Sequence, residues 1–578
     1  MLQAAEPVAP PGKGSGLGIG RAKEIFVLAV APLVLWFPVF IHGPFLAGHD
    51  TKEHISFGTY FAEQFCQGDL YPRWLMNMNH GLGSASFFVY PPFPSYVYAL
   101  LLPLATAIHA NAFSVAEYLC LFASGLCAFL WMTTLASRQV SLAVAAIYML
   151  LPYHLTIDFY RRGALSECWA LAWMPLVLYC TTQVVRRWRY AVACLALAYA
   201  LLIVSHLVSA VILSALPLLL ALVIAERGRK ARALLTVAGG LALGALVASA
   251  YLVPAFANAK YFPVSRLDIP IDDGPRGNLL DFGWGLLTGH SGKSGFVRAI
   301  SVATIDTVLF LFFCGFIALK KRPRNRRGQA WLWLAVCPIP IFLMSAASQW
   351  LWKAIPALAS AIQFPWRLDV VLCVAALPLA AVLLTDLGQW QMRARVAILA
   401  VVGLFAATWL AGYVQAVRQL VREPNTAESA WKVYDGWFAA WTPPGTDLIS
   451  ALRAAAEPRA RFAAGQGSAQ VMVWKPRRIE VQIEREVCGS LIVNQLYYPK
   501  WEAQLLPEGT RLFVEPALPE GLIEVRVPPG RHEVQLELPR GPDERIGGWM
   551  SAAGALICIG FFLGAQPADA ESTRPKAG

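Results

Sequence analysis

Twelve apolar runs of membrane-spanning length decide what this chain can fold into. A first run, Ile25 to Ile41, is followed by others centred near residues 125, 148, 176, 198, 216, 243, 309, 338, 378, 404 and 555. About 20 apolar residues in a row satisfy their backbone hydrogen bonds as a helix, which a bilayer tolerates where it tolerates no open loop. Composition agrees: 15% of the 578 residues are charged, against about 25% in soluble domains. The formal net charge of +12 sits in short clusters between the runs, where it records orientation rather than affinity for nucleic acid. The 11 cysteines lie mostly inside apolar runs without zinc-like spacing, so they read as small core residues.

Orientation follows from the basic clusters. Ile25 to Ile41 has no small-residue cleavage site and carries Pro32 and Pro38, so it reads as an anchor rather than a removable signal. With the N-terminus in the cytoplasm, the clusters Arg186-Arg187-Trp188-Arg189, Arg227 to Arg232, Lys320 to Arg327, and Arg393 with Arg395 all fall inside on one condition. The apolar stretch Phe93 to His109 must dip in or lie at the interface rather than cross. The predicted architecture is an α-helical polytopic membrane protein of about twelve spans with both termini cytoplasmic. Residues 1–20, rich in Pro and Gly, read as disordered, and 21–413 as the membrane domain with a large first external loop, 43–112. Alternating runs bounded by Pro-Glu-Gly and Pro-Pro-Gly turns make 414–545 an external β-sandwich. A last span at 546–565 returns the tail, 566–578, to the cytoplasm. Function then faces outward, because the inner loops hold little beyond Lys and Arg.

The external segment Gly48 to Pro94 concentrates chemistry. In Asp50-Thr51-Lys52-Glu53-His54 a helix would set Asp50, Glu53 and His54 on one face. Two readings stand side by side. Asp50 as N-cap with Glu53 three residues on is a capping box; a carboxylate at the membrane surface is also what a general base needs when one substrate is lipid-borne. His49 and His54 lack a clear third ligand, so a metal site there is the weaker reading. Tyr71-Pro72-Arg73-Trp74 and Phe88-Val89-Tyr90-Pro91-Pro92 read as an interfacial aromatic belt, or, through Arg73, as a phosphate or sugar contact. Arg161 and Arg162 fall at an outer surface, where arginine is disfavoured; they either pair with Asp158 or Glu167 or bind an anionic lipid head group. Trp366-Arg367 admits the same two readings, with Asp369 as a ready partner. His206, between two spans, reads first as a buried hydrogen-bonded side chain. The acidic loop with Asp268, Asp272, Asp273 and Asp281 reads as solvated, with His290 able to close over a site.

Gly48-His49-Asp50, His54, Gly68 to Trp74, Gly81-Leu82-Gly83 and Phe88 to Pro92 resemble the bacterial membrane family labelled "6-pyruvoyl-tetrahydropterin synthase-related". Tyr160 to Gly163 with Glu167, Gln363 to Arg367, and Tyr497 to Trp501 are similar to that family and its YfhO-like relatives. These families look like the GT-C glycosyltransferase superfamily, which implies many spans, a catalytic Asp or Glu in the first external loop and polyprenyl-phosphate sugars as donors. The resemblance assigns Asp50 the catalytic carboxylate, with Glu53 and His54 beside it. On the reading that follows, Arg73, Tyr90, Arg161, Arg162, Glu167, His206, Trp366 and Arg367 are the expected substrate-binding set. No Asp-x-Asp stands at that site, so no cofactor is fixed and a divalent cation, Mg or Mn, stays open. The expected partners are a polyprenyl-phosphate-linked sugar, a glycan or lipid acceptor and membrane lipid, at the outer face of a bacterial inner membrane. A transporter or flippase would instead need ionisable residues in mid-span, which the runs nearly lack; a non-catalytic envelope-assembly scaffold is the other alternative.

Overall fold

The computed structural model describes residues 19–46, 48–262, 278–283, 294–321, 327–387, 390–422 and 442–564. Among them, ten helices are long and apolar enough to cross a membrane. They coincide with ten of the twelve runs. The other two are shorter: α7 (Ala191–Ser205), and the near-continuous pair Arg327–Val336 and Pro338–Met344. Fifteen residues of helix measure about 22 Å, yet both elements traverse the bundle. Tyr190, ahead of α7, packs on Phe562 near the end of the last helix (5.6 Å), whereas His206, at its far end, belongs to the cluster of charges described below. Likewise Trp333 meets Trp131 at one end (5.5 Å), and Met344 O accepts from Leu280 N–H at the other (2.8 Å).

The first helix, α1 (Ile19–His42), begins within the stretch expected to be disordered. After it, α2 (Thr51–Cys66) and α3 (Phe93–Ala107) lie in the first loop, the one expected to be external. They lie close together because Gly58 of α2 faces the ring of Tyr98, which a Cβ would meet at 2.5 Å. The expectation that Phe93 to His109 stays within this loop therefore has a 15-residue helix packed beside α2. The bundle continues through α4 (Ala112–Met132), α5 (Arg138–Leu150), a π-helix (Tyr153–Arg162), α6 (Leu165–Val185), α7, α8 (Leu207–Leu213), α9 (Ala215–Ile224), α10 (Lys230–Val247) and α11 (Ser249–Asn258). Helices Gly295–Lys321, Asp369–Asp386, Met392–Arg422 and Pro542–Leu563 complete it. The side chains from Lys320 to Arg327, the loop residues Asp268, Asp272, Asp273 and His290, and the segment Trp431 to Trp441 lie outside the described residues.

Among the described residues, acidic side chains within the spans include Glu117, Asp158, Asp306 and Asp369. Three of them lie within two turns of the end that carries the first loop. Asp306 alone is near mid-helix, where it accepts from Thr408 Oγ1 (2.8 Å).

Among the described residues nine strands form two antiparallel sheets: in one, β1 (Ala460–Phe462), β4 (Gly489–Leu496), β8 (Leu522–Val527) and β7 (Val514–Ala517) lie in that order, and in the other β2 (Ser468–Lys475), β3 (Arg478–Arg485), β9 (Gly530–Glu537), β5 (Glu502–Leu506) and β6 (Thr510–Leu512). Period-two alternation puts Ile479, Val481 and Ile483 of β3 (Arg478–Arg485) in the core with Val534 and Leu536 of β9 (Gly530–Glu537). The expected run Gln470 to Ile483 folds back as a hairpin, since β2 (Ser468–Lys475) pairs with β3. Trp74, Met76, Leu82, Ala85 and Phe88 of the first loop are buried in this domain's core. Gln495 reads the loop backbone: its amide donates to Gly81 O (2.6 Å) and accepts from Trp74 Nε1 (2.8 Å). Gly83, at φ +82°, passes so close to Gln495 and Trp74 that a side chain there would strike both. The Gly-Leu-Gly sequence is thus the seat of the β-domain on the loop.

Candidate active site

The chain between α5 and α6 builds the centre. Pro152 opens the π-helix, a wide turn that is rare and recurs at functional sites. Gly163 closes it in the left-handed conformation (φ 63°). Side chains at Gly48 or Gly163 would collide with Thr51, so two glycines let the start of the first loop lie against the end of the π-helix. Asp50 N–H and Thr51 Oγ1 both donate to Arg162 O, at 2.8 and 3.2 Å. Residues 112 apart in sequence are stitched together by backbone.

Arg162 is the hub. Its side chain is 3% exposed and donates to three carboxylates: Nη2 to Asp50 Oδ2 (2.8 Å), and Nη1 to Asp158 Oδ1 (2.6 Å) and Glu167 Oε2 (2.8 Å). The ring of Trp366 lies under the guanidinium at 4.6 Å. A buried arginine needs such partners, because an unpaired charge in a low dielectric is expelled or neutralised. Glu167 is shared further: Oε1 accepts from Tyr153 OH (2.8 Å), and Oε2 lies 3.6 Å from Arg367 Nε. Arg367 also donates to Ile362 O (3.1 Å) and Gln363 Oε1 (2.7 Å). Gln363 itself holds φ +64°, ψ −55°, closed by Phe364 N–H to Ile362 O (2.8 Å). A non-glycine residue in that tight turn stores backbone strain, which in folded proteins clusters at functional sites.

Asp50 stands at the mouth, with its side chain 20% exposed. Burial alone would push its carboxyl up, but the Arg162 guanidinium, with His49 in support, outweighs that and holds it well below the usual carboxylate range. The capping-box expectation is corrected here. Asp50 occupies the N-cap position of α2 without any side-chain cap hydrogen bond, since its oxygen is drawn to Arg162 instead. One helical turn on, Glu53 is half-buried and behaves oppositely: burial and the neighbouring Asp50 charge push it up to about 8. His54 is buried, and that burial holds its imidazole down to about 4, so it is neutral at pH 7. Its ring lies 6.1 Å from that of Tyr90, whose hydroxyl bonds Ser166 Oγ (3.0 Å).

Nine of the expected site residues therefore converge: Asp50, Glu53, His54, Tyr90, Arg162, Glu167, His206, Trp366 and Arg367; Arg161 touches the group through its backbone, its carbonyl accepting from His49 N–H (3.4 Å). Arg161 differs from its neighbour, as its guanidinium has no partner among the described residues and its Nε is buried. His206 caps α8, its Nδ1 accepting from Ser209 N–H (3.3 Å). Trp366 is buried, stacked on Phe364 (4.9 Å), and backs Arg162. Asp369, expected beside Arg367, accepts from Thr304 Oγ1 instead (2.6 Å). Arg73 is not among the nine. It is 3% exposed, stacks over Tyr71 and is committed to Phe87 O, Ala250 O and Glu544 (3.2, 2.6 and 3.1 Å), where it anchors the loop to the last helix. Tyr153, Ser166 and Gln363 were not anticipated. Gln363 alone had a signal, as it precedes Phe-Pro-Trp-Arg. Among the described residues no three His, Cys, Asp or Glu side chains are placed to hold a metal ion, and Asp50 is already committed to arginine.

Residues 87–262 match the family described as "6-pyruvoyl-tetrahydropterin synthase related domain; membrane protein". No curated protein matches the chain in sequence. Among solved structures, arabinofuranosyltransferase AftD from Mycobacteria is similar over 72% of this chain and 27% of its own, at 18% identity and TM-score 0.41. The Archaeoglobus fulgidus oligosaccharyltransferase is similar over 74% of this chain and 61% of its own, at 12% identity and TM-score 0.41. ArnT from Cupriavidus metallidurans is similar over 63% of this chain and 78% of its own, at 15% identity and TM-score 0.30. The chain thus spans about a quarter of the mycobacterial protein and about three-fifths of the archaeal one.

Proposed function

We propose that this chain is an integral-membrane glycosyltransferase. It moves a sugar from a polyprenyl-phosphate donor to a glycan or lipid acceptor on the outer face of a bacterial inner membrane, with both termini cytoplasmic. The observation that carries this reading is the carboxylate pair at the mouth of α2. Asp50 is kept ionised by Arg162, and Glu53, one turn away, is pushed up to about 8. Two carboxyls whose environments drive their proton affinities apart are suited to different roles in one reaction. The motif resemblance in the first loop supplies the reaction class.

In this reading Asp50 accepts a hydrogen bond from the acceptor hydroxyl and orients it. The hydroxyl oxygen attacks the anomeric carbon, and the bond from that carbon to the phosphate oxygen breaks with its electron pair staying on the phosphate. The proton passes to Glu53, whose affinity near neutrality suits a general base. Arg161, with free N–H donors, stabilises the charge that develops on the leaving polyprenyl phosphate. Arg162, Glu167, Arg367 and Trp366 act through the others, as positioning residues that fix Asp50. The β-domain, seated on the same loop through Gln495, orients the acceptor.

The test is transfer itself. Protein in nanodiscs is given a radiolabelled polyprenyl-phosphate sugar and envelope glycan as acceptor, and label in the glycan is measured. Wild type should transfer, and Asp50→Asn and Glu53→Gln should each lose about 10²–10⁴-fold. Transfer undiminished in both variants would remove the carboxylate pair from the reaction.

A further inference from the structure

The opposite end of the bundle carries a second built feature. The α6–α7 and α9–α10 connections enclose a cleft of about 530 Å³. Its rim presents Arg186, Arg187, Arg229 and Arg232 against a single acid, Glu226, and its wall is apolar, with Val185, Val192 and Ile224. Arg186 donates to Thr134 O (2.8 Å) and Arg229 pairs with Glu226 (3.0 Å). Arg187 and Arg232 have no side-chain partner among the described residues. Beside the cleft, sharing Val185, Arg186 and Ile224, a chamber of about 190 Å³ leads between the helices to Trp131 and Trp333. The indole N–H of Trp333, a residue 1% exposed, has no acceptor among the described residues.

The backbone at Arg187 shows that this is more than a count of positive charges. Helix α6 ends in a Schellman motif: Arg187 N–H donates to Val184 O (3.0 Å) and Trp188 N–H to Gln183 O (3.0 Å). The residue after the cap must then be left-handed, and Arg187 has φ +60°. Glycine is the usual occupant, because any Cβ is strained there. Orientation of a membrane protein needs basic residues near this turn but not one at its strained position. An arginine held there points to use of its side chain.

We infer that this cleft binds the head group of an anionic phospholipid, its phosphate on Arg187 and Arg232 and the first part of its acyl chains along Val185, Val192 and Ile224. A phospholipid is the occupant that charge and place select together. The cleft lies at the basic end of the bundle, level with exposed Trp188, where aromatic and basic side chains meet the head-group layer. Basic pockets between membrane helices on that side hold such head groups in general. The inference does not rest on the transferase reading, whose site is at the other end.

The experiment uses the full chain in neutral detergent, titrated with phosphatidylglycerol, phosphatidylcholine or inorganic phosphate while the melting temperature is followed. Phosphatidylglycerol should stabilise wild type saturably and the other two should not. The double variant Arg187→Gly, Arg232→Gln should need about 30-fold more phosphatidylglycerol for the same shift, roughly fivefold per arginine. Without lipid, Arg187→Gly should melt at or above the wild-type temperature, since the left-handed turn is relieved. Equal stabilisation by phosphatidylcholine, or a double variant that responds like wild type, overturns the inference. So does inorganic phosphate reproducing the whole effect, which would make the cleft a site for soluble anions. A lowered melting temperature in Arg187→Gly would remove the strain argument and the inference with it.

Discussion

Glu53→Gln separates the two carboxylates at the mouth more sharply than any other change. Glutamine keeps the shape and removes the titration. In the folded protein Glu53 gives up its proton at about 8, against an ordinary 4.5, because burial and the Asp50 charge disfavour its anion. A carboxyl raised in the native state binds a proton there that the unfolded chain has already released. Between these two values stability therefore falls as pH rises. Below pH 4.5 both states are protonated and the penalty is absent; above pH 8 it is complete. At about 1.4 kcal/mol per tenfold change in proton affinity, the ceiling is about 5 kcal/mol. Glu53 keeps some contact with water, so roughly half of that is a reasonable working figure. The variant should match wild type in melting temperature at pH 4.5 and exceed it by several degrees at pH 9, while losing transfer. Wild-type transfer should rise with pH up to about 8, as the general base is deprotonated. Melting curves of the two proteins in nanodiscs, from pH 4.5 to 9, measure the first expectation, and label incorporation over the same range measures the second. Parallel melting curves would mean that Glu53 ionises like any surface glutamate, and the division of labour between the carboxylates would fall.

Three further outcomes follow from the same geometry. Asp50→Asn leaves an oxygen for Arg162 Nη2 to donate to but removes its charge, so it should cost about 1 kcal/mol of stability, the difference between a charge-assisted and a neutral hydrogen bond; thermal melting checks this beside the loss of transfer. Arg161→Ala should leave the melting temperature unchanged, because its guanidinium has no partner among the described residues to lose, yet weaken binding of polyprenyl-phosphate sugar by about 1.5–3 kcal/mol in a filter or fluorescence assay, with Lys restoring only part. Reporter fusions after Arg189 and Arg232 should read cytoplasmic and fusions at Gly467 external; an external signal at Arg189 would mean that α3 crosses the membrane.

The sequence by itself determined the membrane architecture and where chemistry would gather. Helices in lipid answer to composition and length alone, since each satisfies its own backbone. The apolar runs therefore located the ten long helices, and period-two alternation located the two sheets. Nine of the eleven residues it singled out come together in one cluster. What it left open were pairings, because those depend on segments that meet only after folding. Asp50 reads locally as a cap, but the chain returns 112 residues later with Arg162, and a buried guanidinium outcompetes a backbone N–H that another acceptor or water can satisfy. Arg73 looks like a free phosphate ligand until Glu544 and the carbonyl of Ala250 arrive from distant helices. Gly81-Leu82-Gly83 reads as a turn, and only Gln495, far along the chain, shows it to be a docking seat. Arg162 and Arg161 are adjacent and chemically identical in the sequence. The wide turn of the π-helix buries the first among three carboxylates and leaves the second without a partner among the described residues, a distinction that only the tertiary structure could make.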